Sequence, residues 1–207
     1  MMRRVALALV LGNALPAAAA SGTMLPTLFA GDGVSNGEVI DIHADPDESS
    51  RIIAHIPADS RDIEVVAFDA SQVWGRVNHA EASGWVPLAR VLEQKDVWKS
   101  GELPMGTSCY GTEPFWSIQT TDDRAVFTTI GEEPQTLPTT GILDSGQSGD
   151  QRRSAIFEDG TLRLTLLTSP GLCSDGMSDR GFGLTAHVIR EAGPLPELLV
   201  GCCSIAP

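Results

Sequence analysis

Between Leu28 and about Leu92 the apolar residues gather in short β-rich runs: Val39 to Ile42, Ile52 to Ile56, Ile63 to Phe68, Val73 to Asn78 and Trp85 to Leu88. The stretches between them, ADPDESS, PADSRD and NHAEASG, are rich in residues that favour turns. Short strands punctuated at even spacing predict a small all-β barrel over 27–92. No long segment places its apolar residues at helical period.

The second half is also β by pattern. In SAIFEDGTLRLTLLT, Asp159 and Gly160 stand between two β-rich runs and read as the two-residue turn of a hairpin. Phe182, Leu184, Ala186 and Val188 alternate along a further strand, and Pro194 and Pro196 precede a last one, ELLVGCC. This predicts an antiparallel barrel or sandwich over 104–205. GILDSGQSGDQRR has no apolar face and is expected to be a mobile loop. The charged stretch 93–103 reads as a linker. Trp98 within it is too apolar to stand in water, so it should pack against one module or between the two.

The N-terminus reads as an export signal over 1–20. Arg3 and Arg4 supply the positive start, Val5 to Leu15 an apolar run, and Ala17 to Ala20 the small residues that precede cleavage. An uncleaved anchor helix is the alternative. The run is short for a bilayer span of about 20 apolar residues, so the processed chain should not span a membrane, and a periplasmic or secreted location is expected. The whole chain carries a formal net charge of −13, and loss of the leader removes two arginines and no acid, leaving −15. So acidic a chain is unsuited to nucleic acid, whose binding needs clustered Lys and Arg. The charge serves solubility or attracts a basic partner.

Export changes the reading of Cys109, Cys173, Cys202 and Cys203. An even number of cysteines in an oxidising compartment points to disulfides. A bond between the neighbours Cys202 and Cys203 would strain the peptide joining them, so each pairs with one of the other two. In ELLVGCC, Cys202 shares a strand face with Leu198 and Val200 while Cys203 points the other way. That alternation favours Cys173 with Cys202 and Cys109 with Cys203, the swapped arrangement staying open. Zinc is the competing use of four thiolates, but paired C-x-x-C knuckles are missing and no metal or cofactor is expected.

Two family resemblances follow from these residues. The stretch from GEVIDIHADP through the S-x-x-I-I, E-V-V and W-G-R-V-N strands to the closing G-W-V resembles a bacterial SH3 domain. The resemblance implies a small barrel that binds peptidoglycan or peptides in the envelope, although Asp41 and His43 stand where the family pattern often has Asn and Arg. CYGTEPFWSI, CSDGMSDRGFG and GCC together resemble an uncharacterised family of bacterial envelope or lipoprotein-like domains. That likeness implies one structural unit and no activity.

Candidate ligand-binding residues come from both modules. In the first, Trp74 and Trp85 are either core residues or an aromatic groove, and Asp45 beside Pro46 is a turn former or a ligand contact. In the second, Glu113 and Trp116 lie near Cys109, while Asp175, Ser178, Asp179 and Arg180 share a loop tethered by Cys173. If the cysteines meet at the last strand, these residues converge on one end of the sheet. They then form a recognition surface or a hard-cation site, or simply a loop whose acids cap backbone N–H groups and pair with Arg180. D-G-M-S-D lacks the alternating acids of a calcium-binding loop.

Catalysis is not expected. None of His43, His55, His79 and His187 belongs to a catalytic motif, H-E-x-x-H is absent from the sequence, and all four thiols are assigned to disulfides. Glu113 with Asp175 would be the pair for a glycosidase, in a module too small to offer much cleft. The sequence therefore leads to a non-catalytic envelope binding protein whose partner is peptidoglycan or an envelope protein or peptide. The alternative is an inhibitor or chaperone-like protein that engages a basic protein such as lysozyme.

Overall fold

The computed structural model describes residues 22–33 and 37–206, so the expected leader lies outside the described residues. The first module contains strands β1 (Thr27–Gly31), β2 (Val39–His43), β3 (Ile52–Pro57), β4 (Ile63–Val65), β5 (Ala67–Phe68), β6 (Trp74–His79), β7 (Ala82–Pro87) and β8 (Val91–Glu93), with one 3₁₀ turn at Leu88–Arg90. They form two sheets, β3-β2-β7-β6-β5 and β4-β1-β8. Phe29, Ile40, Ile42, Ile63, Val65, Val77, Val86 and Val91 fill the space between them. The Ile63 to Phe68 run serves both sheets, because Val66 leaves the β4 ladder and donates its N–H to Arg76 O at 3.0 Å. Gly84 permits the close approach of β7 and β2, since a Cβ there would lie 2.4 Å from Ile42 Cγ2 and 2.8 Å from His43 O.

The second module consists of β9 (Ser108–Thr112), β10 (Phe115–Thr120), β11 (Arg124–Thr129), β12 (Gln135–Leu143), β13 (Arg153–Glu158), β14 (Arg163–Cys173), β15 (Phe182–Glu191) and β16 (Glu197–Ser204). Each strand pairs antiparallel with its sequence neighbour, and β16 returns to β9 to close an eight-stranded barrel. Of the two expected architectures, barrel or sandwich, this is the barrel. Its interior is made by the inward half of each alternating strand: Ile118, Phe127, Leu137, Phe157, Leu164, Leu166, Leu184 and Val188 are all essentially inaccessible. A ring of eight strands leaves an interior that side chains just fill, and burying each large one contributes about 1.5–3 kcal/mol. The β13–β14 hairpin is present, but its connection runs from Asp159 to Leu162 rather than over two residues. The Asp159 carboxylate accepts the N–H groups of Thr161 and Leu162 at 2.8 and 3.0 Å, and Leu162 is drawn into the barrel core.

Disulfides join Cys109 to Cys203 and Cys173 to Cys202, the pairing that strand alternation favours. Cys109 and Cys203 are direct cross-strand neighbours on β9 and β16, so their bond lies across the seam where the barrel closes, among its core residues. The outward Cys202 joins the end of β14 to β16 across β15.

Alternation also explains how the modules meet. In β1, Phe29 belongs to the first core while Leu28 belongs to the barrel core. In β4, Ile63 and Val65 face the first core, and Glu64 between them reaches the barrel's last strand, accepting the Ser204 hydroxyl and the Ile205 N–H, the latter at 3.1 Å. The three-stranded sheet is thus a partition with one face in each module.

The linker packs down. Trp98 donates its indole N–H to Pro26 O at 2.9 Å, lies under the Arg153 guanidinium and packs against the barrel core, as its apolar bulk requires. The expected boundary at residue 92 cuts β8, whose Glu93 pairs with Phe29. GILDSGQSGDQRR, expected to be a mobile loop, is held at several points. Its first part continues β12, Asp144 accepts from Ser100 and the Gly101 N–H, and buried Gln151 donates to Met24 O and Pro26 O. Polar anchors replaced the missing apolar face.

Candidate functional site

The strings around Cys109 and Cys173 come together on the outer wall of the barrel. Thr112 Oγ1 donates to Asp175 O at 3.0 Å, joining the start of one string to the loop of the other. Beside this contact lies a cleft of about 470 Å³. Its floor is the outward row Tyr110, Ser117 and Thr128, adjacent in register on β9, β10 and β11. Thr112, Phe115 and Ile130 continue it toward the barrel end, and Asp175, Arg180 and Phe182 form the opposite wall. Phe115 and Ile130 are exposed at the rim.

Trp116 supports the cleft from beneath. Alternation turns it inward, where it is 4% exposed and pressed against two glycines. A Cβ at Gly111 would stand 1.9 Å from its Nε1, and one at Gly201 would stand 2.9 Å from its Cζ2. The indole's bulk requires glycine at 111, while at 201 the first obstacle is the Tyr110 carbonyl oxygen, 1.9 Å from where a Cβ would stand. Its Nε1 has no hydrogen-bond partner among the described residues.

The loop after Cys173 is built by its own side chains. Asp175 Oδ1 accepts the N–H groups of Met177 and Ser178 at 3.0 and 2.9 Å, and Oδ2 accepts the Ser178 hydroxyl at 2.8 Å. Slight burial raises the Asp175 pKa, but these hydrogen bonds outweigh it and hold the carboxyl below the usual range. The next residues dock on the β6–β7 hairpin of the first module. Asp179 N–H donates to Glu81 O at 2.9 Å, Ser83 Oγ to Asp179 O at 3.1 Å, and Asn78 Nδ2 to Gly181 O at 2.7 Å. Gly181 N–H is shared by Asn78 Oδ1 and Ser83 Oγ. Gly181 also lets Arg76 lie close, as a Cβ would come 3.1 Å from its Cζ.

The candidate residues therefore have different fates. Asp175, Arg180 and Trp116 meet at the cleft, whereas Ser178 and Asp179 serve the loop and its docking. Arg180 makes no ion pair among the described residues; its guanidinium lies over the Phe182 ring at 4.9 Å. Glu113 is exposed in the β9–β10 turn. In the first module, Trp74 is buried edge-on against His43, on the strand face opposite Gly75 and Val77, and so outside the central core. Trp85 is half-buried on that same sheet, paired in register with His43 and Arg76. Asp45 is exposed in a turn closed by Ser50. The first-module and barrel candidates do not form one site.

Sequence reasoning missed Tyr110, Ser117, Thr128 and Phe182. Tyr110 and Ser117 were within reach, because outward alternation from Cys109 and Trp116 selects both. No group of three or more His, Cys, Asp or Glu side chains among the described residues is arranged to hold a metal ion. No helix among them is long and apolar enough to cross a membrane. No known protein family, curated protein or solved structure matches the chain.

Proposed function

We propose that this chain is a non-catalytic binding protein of the bacterial envelope, exported to an oxidising compartment, and that its ligand is peptidoglycan. The observation that carries the reading is the lining of the cleft. Tyr110 and Phe115 offer aromatic surface, Thr112, Ser117 and Thr128 offer hydroxyls, and Arg180 offers a cation. Apolar ring faces beside a few placed polar groups suit a sugar ring, which presents a C–H face and a hydroxyl edge. The two disulfides fit a compartment where such bonds persist.

In this reading the first module is an SH3-like support, and wall recognition lies in the cleft whose loop that module holds through Asn78, Glu81 and Ser83. Purified sacculi incubated with the whole processed chain at moderate salt should retain it. Thr128→Trp, which fills the cleft from the strand side, should release it. Failure of the wild-type chain to sediment with sacculi would reject the reading.

The acidic balance of the chain favours a second reading, engagement of a basic protein such as lysozyme. Lysozyme turnover measured with excess purified chain decides it, and unchanged turnover removes it.

A further inference from the structure

Arg180 stands where three cavities meet. It lines the outer cleft, a second cavity of about 340 Å³ between the modules beside Glu64 and Ser204, and a third of about 350 Å³ on the far side of its loop beside Arg76. The chain is strongly acidic, and five other arginines, Arg90, Arg124, Arg152, Arg163 and Arg190, each lie against a carboxylate, whereas Arg51, Arg61, Arg76 and Arg153 do not among the described residues. Arg180 lies against none among the described residues, and its buried Nε has no hydrogen-bond partner. The two acids nearest its field, Asp175 and Glu64, are already engaged. Asp175 holds the N–H groups and hydroxyl of its own loop, and Glu64 holds Ser204 and Ile205. The guanidinium is kept in place by the fully buried Phe182 ring beneath it and by the docked Gly181 beside it.

A positioned guanidinium with unused donors matches a carboxylate, which it can bind through two parallel N–H···O bonds. We infer that Arg180 anchors a carboxylate of the ligand in the outer cleft, so that the preferred fragment of the wall is one whose peptide stem carries a free acid. This rests on the cleft reading above and names the group on the ligand that the cleft selects. The aromatic and hydroxyl side of the cleft takes the sugar, and Arg180 sets its orientation.

Calorimetric titration of the whole processed chain tests this with three soluble probes: muramyl dipeptide, which carries one carboxylate, the same molecule with that group amidated, and uncharged chitotriose. Wild type should bind the acid at least about tenfold tighter than the amide, the span of one charge-assisted hydrogen bond. Arg180→Gln should abolish that preference. A melting curve of Arg180→Gln reports whether the docked loop survives, and the acid-against-amide comparison on wild type needs no variant. Equal affinity of wild type for acid and amide overturns the Arg180 assignment even where sacculi still retain the chain. Absence of binding by all three probes, together with no retention on sacculi, overturns the cleft reading and the assignment with it.

Discussion

Replacing Glu64 by glutamine should make the chain more stable at neutral pH, although it removes a charge at the junction of the two modules. Burial pushes the Glu64 carboxyl above its ordinary value of 4.5, and hydrogen bonds from Ser204 and Ile205 only partly oppose this. The folded chain therefore holds a proton there that the unfolded chain releases. Stability contributed by this group is complete below the ordinary value and is lost as pH rises through the elevated one. An ionised carboxylate has about four acceptor positions, and protein donors fill two of them here. The glutamine amide keeps the acceptor for the Ile205 N–H, can donate to Ser204, and avoids an incompletely satisfied buried charge, a penalty of about 1–3 kcal/mol. At about 2–4 °C per kcal/mol for a chain of this size, Glu64→Gln should melt roughly 2–12 °C higher at neutral pH. Thermal unfolding followed by near-ultraviolet circular dichroism from about pH 4 to about pH 8 should show the two curves converging at the acid end. A variant that melts below wild type at neutral pH would show that the ionised carboxylate stabilises the junction, and the reasoning would fail.

Two further outcomes follow from the barrel. Cys109–Cys203 spans 94 residues of sequence and Cys173–Cys202 spans 29, so their losses should cost about 4–5 and about 3–4 kcal/mol respectively. Alanine pairs at each position, compared by urea midpoint, check that order, and a larger loss for Cys173–Cys202 would contradict it. Gly111→Ala places a methyl group against the Trp116 indole and should cost about 3 kcal/mol, the upper range for overpacking. Urea unfolding gives the size of the loss and tryptophan fluorescence shows whether the indole moves; an unperturbed variant would mean that the indole can yield.

Some features of the site were legible before any coordinates. The nearness of Glu113 and Trp116 to Cys109, and of the run from Asp175 to Arg180 to Cys173, tied both strings to the last strand once the cysteines were paired. Asp175 as a cap for its own loop follows from an Asx residue ahead of Gly and Ser. The expected pairing of loop acids with Arg180 did not follow, because Asp175 spends its oxygens locally and the Asp179 backbone turns to the first module. Nor could Tyr110 or Phe182 be placed opposite one another in a cleft, since that depends on which turn folds over which strand.

Local pattern by itself determined the all-β class, the inward and outward residues of most strands, and the direction in which Cys202 and Cys203 point. Those properties repeat every second residue and need only neighbouring positions to be read. The tertiary structure alone decided that the β4-β1-β8 sheet serves two cores, that polar anchors hold the 144–152 loop, and that Arg180 is left without a carboxylate partner among the described residues. Each of these depends on groups far apart in sequence competing for the same hydrogen bonds and the same buried space, and that competition is resolved only when the chain closes on itself.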